Sequence, residues 1–334
     1  MKICIVSHSR VAVATVAVAV VIQTANLIGI ASAQNFPTRP VTFVAAGPAG
    51  GPTDAIGRIV AEGMRPALGQ VILIENVAAS GGTAVRKVGH ADPDGYTIEL
   101  GHWGTNVVDG AAMSLPFDLL TDFEPIALIA SNPILITSRK DLPAGNLQEL
   151  VAYIKARPGK VTLAEPGAGS PPHVAGIFFE NLTGTEIQFV PYRGGGPAMQ
   201  DLIGGHIDLN MAQAAVSLPQ ISAGTIKAYG VMAESRMAVV PDVPTTDEAG
   251  LPGLHLSVWH ALWAPKGTPP AVIAKINSAV VAALADPAVR QRLAQIGQDV
   301  PPRDRQTPEA LHKFQKSEIE KWWPIIKGAG IKVD

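Results

Sequence analysis

Residues 41–54 have the sequence VTFVAAGPAGGPTD, and the architecture of the chain can be worked out from this stretch. Val41–Ala45 is a short β-rich run, so we predict a buried strand there. A turn rich in Gly and Pro follows, and a polar side chain at Thr53 or Asp54 can begin a helix by accepting from its free N–H groups. The later apolar residues have helical spacing: Ile56, Ile59, Val60 and Met64. This unit of strand, glycine-rich loop and helix is typical of α/β proteins.

The same alternation of apolar runs and helical stretches continues along the chain. It predicts the α/β class, with helices layered around mainly parallel sheets. The predicted strands are Val41–Ala45, Val71–Ile74, Thr97–Leu100, Ile134–Thr137, Val161–Ala164, Ile187–Val190 and Ile226–Val231. The predicted helices run from Thr53 or Asp54 to Gly69, and over Leu147–Ala156, Pro172–Leu182, Pro197–Leu202, Pro270–Ala285 and Thr307–Ala329.

The length of the chain indicates two lobes, because 334 residues exceed the roughly 100 to 200 residues of one α/β core. Apolar extended segments near Ile136–Asp141 and Ser257–Trp263 run between loop-rich regions without a long linker. A chain that passes twice between lobes makes a hinge. We therefore expect lobe 1 to comprise residues 34–136 and 260–334, and lobe 2 to comprise residues 137–259.

The composition is that of a packed globular protein, with 47% hydrophobic and 16% charged residues, and it excludes a disordered chain. The net charge is -2, and Lys and Arg are scattered along the sequence. We expect no nucleic-acid partner, because no basic face or tail is present. An anionic ligand must then be bound by local donors, such as backbone N–H groups or one Arg side chain.

The first 33 residues have the pattern of a secretory signal peptide. Lys2 and Arg10 precede an apolar run from Val11 to Ile30, and the small residues Ala31-Ser32-Ala33 follow it. A transmembrane anchor is the alternative, since the run is about long enough to span a bilayer. Gln23, Thr24 and Asn26 interrupt the run, however, and the small triplet fits a cleavage site. We therefore expect residues 1–33 to be removed on export.

Cys4 is the only cysteine of the sequence and lies within this segment. The exported chain would have no thiol, and therefore no disulfide, thiol nucleophile or thiolate metal site. Cys4 precedes the apolar run instead of following it, which argues against a lipid anchor at the cleavage point. We expect a soluble protein of the periplasm.

The loop at residues 47–54 has the features of an anion site. Glycines let the backbone approach a ligand closely, and the unpaired N–H groups of the first helical turn point outward as donors. Neither the phosphate-loop nor the dinucleotide glycine pattern is present, so phosphate is not favoured. A plain tight turn is the alternative. The predicted ligand contacts are Ala49, Gly50, Gly51, Thr53 and Asp54.

Residues 165–173, EPGAGSPPH, form a second loop of the same kind between a predicted strand and a predicted helix. One such loop in each lobe would place the two on opposite sides of a cleft. Taken alone, Ser170 would be a helix cap and His173 a surface residue of the first turn. Paired with the first loop, they favour ligand binding. The predicted contacts here are Gly169, Ser170 and His173.

A hydrolase that uses Ser170 and His173 is the enzyme alternative. A nucleophile elbow requires Gly-x-Ser-x-Gly, whereas Pro171 follows Ser170, and the sequence offers no third residue to orient His173. The eight histidines are scattered without a zinc motif, and residues 92–95, DPDG, are typical of a turn because the rest of a calcium loop is missing. We therefore expect no enzyme activity, no cofactor and no metal site.

Two further segments follow predicted strands and add candidate contacts. Residues 191–198, PYRGGGPA, begin another helix. The planar guanidinium of Arg193 can grip a carboxylate, although an Arg beside a turn is more often solvated. At the end of a first-lobe strand, Trp103 is a candidate for a pocket wall or for a core residue. His102 and Thr105 lie beside it in the sequence and complete the candidates of that lobe.

Taken as an ordered set, several motifs resemble the Bug family, the extracytoplasmic solute receptors of tripartite tricarboxylate transporters. They cover almost the whole exported chain: FPTRPV at 36–41, GGPTD at 50–54, DGYT at 94–97, YRGGGPA at 192–198, PDVPT at 241–245 and EAGLPG at 248–253. The resemblance implies a two-lobed periplasmic binding protein fold, with a ligand cleft between lobes that close like a flytrap. It also implies a monomer, membrane transporter subunits as partners, and a small carboxylate as ligand.

The resemblance further implies which loops hold the ligand. In the family, the loop after the first strand and the glycine-rich loop of the second lobe clasp a ligand carboxylate, partly through ordered waters. On this sequence those roles fall to Ala49–Asp54 and Gly167–His173. Family ligands include di- and tricarboxylates, carboxylated amino acids, nicotinate-like acids and aromatic dicarboxylates, so the family does not name the ligand.

The chain departs from the family pattern at positions that bear on the ligand. His102 and Trp103 occupy a strand end that is often small or rich in Thr and Ser, and Gln213 occupies a position that is often acidic. Gln213 offers a donor and an acceptor, and His102 adds a donor. We therefore expect a dicarboxylate or an aromatic acid without an ammonium group. A protein that presents its ligand to a two-component sensor would use the same cleft, and this alternative stays open.

Overall fold

The computed structural model describes residues 36–77, 82–165 and 167–332. The predicted signal peptide and its cleavage site lie outside the described residues. Within those ranges no single helix is long and apolar enough to cross a bilayer. Only the bent pair Pro270–Ala285 and Pro287–Gln295 passes that test together, by length and composition.

The described residues alternate short strands with helices, as the sequence predicts. The strands are β1 (Val41–Ala46), β2 (Ile72–Val77), β3 (Thr97–His102), β4 (Phe123–Arg139), β5 (Thr162–Glu165), β6 (Gln188–Pro191), β7 (Leu209–Gln213), β8 (Ile226–Val231) and β9 (Ser257–Pro265). The helices are α1 (Pro52–Leu68), α2 (Thr83–Gly89), α3 (Asp109–Ala112), α4 (Leu147–Lys155), α5 (Pro171–Thr183), α6 (Gly195–Ile203), α7 (Ala214–Ser222), α8 (Pro270–Ala285), α9 (Pro287–Gln295) and α10 (Pro308–Gly328). A π-helical turn (Gly104–Val108) and a 3-10 turn (Arg303–Arg305) are further helical segments.

The first sheet has the strand order β2-β1-β3-β9-β4. β1 is parallel to β2 and β3, whereas β9 is antiparallel to β3 and β4. Helices α1 and α8 pack on each other and bury an apolar core with the sheet, in which Ile56, Leu100 and Val280 are fully enclosed. Because β1 and β3 are parallel, the loops that follow them lie at the same edge of this sheet.

The second sheet has the strand order β8-β4-β7-β5-β6. β5, β6 and β7 are parallel, and β4 is antiparallel to β7 and β8. In the described residues each sheet thus has as many antiparallel as parallel strand pairs, so the prediction of mainly parallel sheets is wrong. Helix α5 packs against β5 and β7, and its Phe179 is buried in the same core as Leu163 and Met211. The carboxyl ends of the parallel strands again share one edge, so the loop after β5 begins beside the end of β7.

Strand β4 belongs to both sheets and carries the chain from one to the other. Up to Pro133 it pairs with β9, and from Ile134 onward it pairs with β7 and β8. At this crossover, the Oδ1 of Asn132 accepts from the N–H of Ala214 at 2.9 Å, which ties β4 to the start of α7. The chain returns to the first sheet at Ser257, opposite Pro133. The residue bounds of the two lobes given above stay predictions.

The C-terminal helix α10 packs beside this crossover. The indole N–H groups of Trp259 and Trp322 donate to the same carboxylate oxygen of Glu318, at 3.0 and 3.3 Å. The ammonium of Lys321 donates to the backbone carbonyl of His255 at 2.9 Å. Helix α10 is therefore hydrogen-bonded to His255, just before β9, and to Trp259 within β9.

The predicted strands differ from the structure in two ways: β7 and β9 are not among them, and the predicted bounds of β4 are too short. The sequence predicts a strand at Ile134–Thr137, and the structure has one at Phe123–Arg139. Pro125 and Pro133 conceal the longer strand, because proline lacks the N–H that a strand interior needs and normally ends a strand. The structure accommodates Pro125 at a shift in the pairing register with β9.

Candidate functional site

The loop between β1 and α1 depends on its glycines and on Asp54. Gly50 has a φ of 79°, in the left-handed region that glycine adopts without strain. The Oδ2 of Asp54 accepts from the N–H of Gly50 at 2.9 Å and so folds the loop over the start of α1. Gly51 precedes the helix, and no side chain caps it. The helix N-terminus therefore has backbone N–H groups and a positive dipole end without a capping side chain, a combination that suits an anion.

The carboxylate of Asp54 bonds to residues of its own loop and helix. Arg58, one turn further along α1, donates to Oδ2 at 3.0 Å and lies 2.9 Å from Oδ1. The hydrogen bond from Arg58 holds the pKa of the Asp54 carboxyl below its ordinary value of 3.8, although burial opposes this shift. The predicted ligand contact Asp54 is thus a charged acceptor that holds the backbone N–H of Gly50 and the side chain of Arg58.

His102 is the last residue of β3 and is half-buried. Its Nδ1 accepts from the N–H of Gly104 at 3.0 Å, so the ring carries its proton on Nε2. Burial lowers the pKa of His102 from 6.5 to about 4. Thr105 holds the same turn, because its Oγ1 accepts from the N–H of His102 at 3.1 Å. The site therefore contains a neutral imidazole at this strand end.

His260 of β9 is a residue of this site that the sequence did not reveal. It pairs with His102 in the ladder between β3 and β9, and the two ring centroids are 5.7 Å apart. Its Nε2 lies 3.2 Å from the Oγ1 of Thr53 in the first loop. Burial lowers the pKa of His260 well below 6.5, and the neighbouring His102 lowers it further. In the sequence, His260 is an isolated histidine in an apolar run, 207 residues from Thr53.

Trp103 follows the end of β3, and its indole lies in the apolar core. Its side chain is fully buried and packs edge to face against Trp322 of α10, with ring centroids 5.4 Å apart. Its Nε1 has no hydrogen-bond partner among the residues that the structure describes. This placement agrees with the core alternative for Trp103, and a ligand contact by its indole stays a prediction.

The loop between β5 and α5 has a geometry similar to the first loop. Gly169 has a φ of 73°, and its N–H donates to the Nδ1 of His173 at 3.1 Å. Ser170 precedes the helix without capping it, and its buried Oγ has no partner in the described part of the chain. Burial lowers the pKa of His173, while Glu165, whose Oε1 lies 3.7 Å from Nδ1, raises it. The start of α5 is therefore a second helix N-terminus without a side-chain cap, directly after the loop that follows β5.

Gln213 and Arg193 differ in their distance from the crossover of β4. Gln213 ends β7 and pairs directly with Ile134, the first residue of β4 in the second sheet. Arg193 follows β6, the edge strand of that sheet, and is exposed. A ligand contact by Arg193 stays a prediction.

The structure thus brings most of the predicted contacts to the two sheet edges beside the crossover. His102 lies opposite His260, which pairs with Ala130 of β4, four residues before Ile134 and its partner Gln213. In α/β proteins, ligands bind outside the carboxyl ends of the strands. Both glycine-rich loops leave such ends. Ligand contacts by the thirteen predicted residues stay predictions.

Comparison with known proteins identifies the family. Residues 56–331 match the family model described as the tripartite tricarboxylate transporter family receptor, TctC. The chain belongs to this family. The receptor is 40% identical over 315 residues to a UPF0065 protein of Agrobacterium vitis. The aligned residues are 94% of the receptor and 91% of that protein. It is 31% identical over 319 residues to the protein BugT of Bordetella pertussis, covering 95% and 97% of the two chains.

Solved structures give the fold of the receptor. MatC from Rhodopseudomonas palustris, with bound malate, superposes with a TM-score of 0.76 at 38% identity, covering 87% of the receptor and 100% of MatC. A second R. palustris protein, with adipate, has a TM-score of 0.78 at 31% identity, covering 89% and 99%. The predicted Bug family membership and the two-lobed periplasmic binding protein fold of the receptor are therefore confirmed.

Proposed function

We propose that the receptor binds a small carboxylate in the periplasm and delivers it to the membrane subunits of a tripartite tricarboxylate transporter, as a monomer and without catalysis or a cofactor. The observation that carries this proposal is the pair of glycine-rich loops. Each loop follows a parallel strand, each leads into an uncapped helix N-terminus, and they belong to the two sheets that β4 joins. Two such loops offer converging N–H donors to one anion.

Magnitudes explain why two loops are required. One helix N-terminus favours an anion by about 0.3 to 1 kcal/mol when exposed and by up to about 2 kcal/mol when partly buried. Micromolar affinity requires about 8 kcal/mol. The difference must come from several preorganised hydrogen bonds and from the exclusion of water as the lobes close on the ligand.

The charge of the site favours a ligand without a cationic group. His102 and His260 are neutral because burial lowers the pKa of both rings. Gln213 contributes an uncharged amide at the crossover. The negative charge of the ligand is then balanced by backbone and side-chain dipoles. The malate and adipate held by the two solved relatives are dicarboxylates of this kind, and we propose a di- or tricarboxylate or an aromatic acid for the receptor.

The second loop lacks the arrangement that hydrolysis requires. A serine nucleophile needs a base within hydrogen-bond reach. The Oγ of Ser170 has no partner in residues 36–77, 82–165 and 167–332, and the Nδ1 of His173 is occupied by the N–H of Gly169. This arrangement supports our proposal that the receptor binds its ligand unchanged.

The test is a thermal-shift screen of the exported chain from Gln34 onward. The panel contains malate, adipate, citrate, acidic amino acids, nicotinate and aromatic mono- and dicarboxylates. A ligand at about 100 times its Kd stabilises the folded state by about 2.7 kcal/mol. We expect one class of carboxylates to shift the melting temperature, and NMR of the incubated ligand to show no product. A screen in which no carboxylate shifts the transition would contradict carboxylate capture.

A matched pair of glycine variants links the shift to the second loop. Gly169→Ala places a side chain at a φ of 73° in the loop after β5. Gly159→Ala introduces similar strain at a φ of 63°, before β5 and at the other end of that strand. Both variants should lose stability, since left-handed backbone is costly for residues other than glycine. Only Gly169→Ala should also lose the ligand-induced shift.

A further inference from the structure

A buried hydrogen bond joins His260 to the first loop. The Nε2 of His260 lies 3.2 Å from the Oγ1 of Thr53, with 1% of His260 and 7% of Thr53 exposed. Thr53 is the second residue of α1, so its hydroxyl lies at one of the two helix N-termini to which the function proposed above assigns the ligand. The contact joins β9 to the loop after β1.

The position of the ring proton on His260 follows from its surroundings. Burial keeps the ring neutral, so it carries one proton. The Nδ1 atom is buried and has no hydrogen-bond partner in the described residues. A proton on Nδ1 would leave a buried N–H donor unsatisfied, which is rarer and more costly than an unfilled acceptor lone pair. A proton on Nε2 is instead donated to the hydroxyl oxygen of Thr53.

This assignment fixes the direction of the Thr53 hydroxyl. If Oγ1 accepts from His260, its own hydrogen must be donated elsewhere. His102, beside His260, cannot receive it on Nδ1, because that atom already accepts from Gly104. The nearby Asp54 carboxylate is held by Gly50 and Arg58. Within the described residues His260 is the only hydrogen-bond partner of the Thr53 hydroxyl, so its hydrogen is available to a ligand at the helix N-terminus.

We propose that His260 is a positioning residue for ligand binding: its Nε2–H donates to Thr53 and commits the Thr53 hydroxyl to donate to an unprotonated ligand oxygen. This proposal rests on the function proposed above and narrows it. The ligand atom that meets Thr53 must be an acceptor, such as a carboxylate oxygen. An ammonium, an amide N–H or a protonated carboxyl hydroxyl at that position would place two donors against each other.

The first experiment measures the ring proton directly. Two-bond ¹⁵N–¹H correlation spectra of the imidazoles in the exported chain distinguish Nε2–H from Nδ1–H, and His260→Gln assigns the His260 signals. We expect Nε2–H, and we expect Thr53→Val to shift the Nε2 signal while Thr137→Val does not. Thr137 is a matched control, since its buried hydroxyl donates to the carbonyl of Asn210 in the second sheet. An Nδ1–H tautomer at His260 would overturn the proposal.

The second experiment is a double-mutant cycle on affinity, with malate or adipate as probe, whichever gives the larger thermal shift. Thr53→Val and His260→Leu should each weaken the Kd by about tenfold or more, as expected for a lost hydrogen bond to a charged group. Thr53→Ser and His260→Gln retain the donors and should stay near the wild-type Kd. The double variant Thr53→Val/His260→Leu should be no weaker than Thr53→Val alone. Additive losses would overturn the proposal.

The outcomes separate this proposal from the proposed function. If the wild-type protein binds none of the carboxylates, the proposed function is contradicted. The tautomer measurement still decides whether His260 donates to Thr53. If carboxylates bind and His260→Leu keeps the wild-type Kd, capture stands and the role of His260 is overturned. If His260→Leu does not fold, the Kd of His260→Gln and the tautomer of the wild-type ring decide in its place.

Discussion

Phe178 and Trp322 meet edge to face, with ring centroids 5.2 Å apart and ring planes at 80°. Phe178 belongs to α5, the helix that begins at the second loop, and Trp322 belongs to the C-terminal helix. Trp322 also contacts Trp103, which follows the end of β3. The three aromatic side chains therefore connect the strand end of the first sheet with the loop helix of the second.

The first prediction concerns this aromatic contact. Trp322→Ala should lower the free energy of unfolding by about 3 to 5 kcal/mol, because truncating a buried aromatic leaves a cavity between α5, α10 and the turn after β3. Urea denaturation followed by fluorescence and circular dichroism measures the loss. Lys316→Ala is the control on the exposed side of α10, where the pair with Glu320 is worth at most about 1 kcal/mol. A loss below 1 kcal/mol for Trp322→Ala would contradict a structural role for the contact.

The second prediction concerns Glu99, which is fully buried in β3. Burial raises its pKa from 4.5 to about 8, with a smaller contribution in the same direction from Asp109, while a hydrogen bond from Asn106 opposes the shift. The folded state thus binds a proton on Glu99 that the unfolded chain releases above pH 4.5. This stabilisation is fully present below pH 4.5 and is lost as pH rises through about 8.

Glu99→Gln tests this assignment, because the amide has nearly the same shape and does not ionise. We expect the free energy of unfolding of the wild type to fall relative to Glu99→Gln between pH 4.5 and 8. Urea titrations of both proteins at pH 5, 6.5, 8 and 9 measure the difference. A difference that does not change across this range would show that Glu99 titrates at the same pH in the folded and unfolded states.

Much of the fold could be predicted from sequence, because strand and helix formation here follows local patterns. Strand β8 and helix α8 have the predicted bounds, Ile226–Val231 and Pro270–Ala285, since apolar runs and an N-terminal proline mark them clearly. The length of β4 could not be predicted, because its prolines are tolerated only through a register shift against β9. Pairing between distant strands determines such a feature, and a local pattern does not report it.

The candidate site was partly predictable for the same reason. The two glycine-rich loops are contiguous in sequence, so their backbone geometry at Gly50 and Gly169 is encoded locally. His260 is different, because its role depends on Thr53, more than 200 residues away, and on the register that sets it beside His102. The burial of Trp103 likewise depends on α10, which the sequence does not place against β3.

The third prediction concerns Asp54 as the organiser of the first loop. Asp54→Ala removes the acceptor of the Gly50 N–H and should weaken carboxylate binding by about tenfold or more through loss of loop order, in line with a charged hydrogen bond. Arg58→Ala is the control, because 58% of the Arg58 side chain is exposed, so solvent screens the ion pair and its loss should leave the Kd near the wild-type value. Isothermal titration with the carboxylate found by thermal shift measures both. Equal losses for the two variants would assign the effect to the ion pair instead of the loop.

The fourth prediction concerns Gly101, whose small size is required by packing. A Cβ on Gly101 would lie 2.2 Å from the side-chain amide of Asn106 and 2.5 Å from the carboxyl of Glu99, and the Asn106 amide N–H donates to that carboxyl. Gly101 does not have a positive φ, so the cost of alanine here arises from overpacking and not from the backbone. Gly101→Ala should therefore destabilise the protein by about 1 to 3 kcal/mol.

Two further variants separate packing from other effects of Gly101→Ala. Gly196→Ala in α6 meets open space and should be neutral or stabilising by up to about 1 kcal/mol, because alanine favours a helix over glycine. Asn106→Ala removes the nearest obstructing atom, so Gly101→Ala should cost less in that background than in the wild type. Urea denaturation of the four proteins of this cycle gives the coupling energy. A coupling of zero would mean that Asn106 moves aside without cost, and the contact would then not explain why glycine occupies the end of β3.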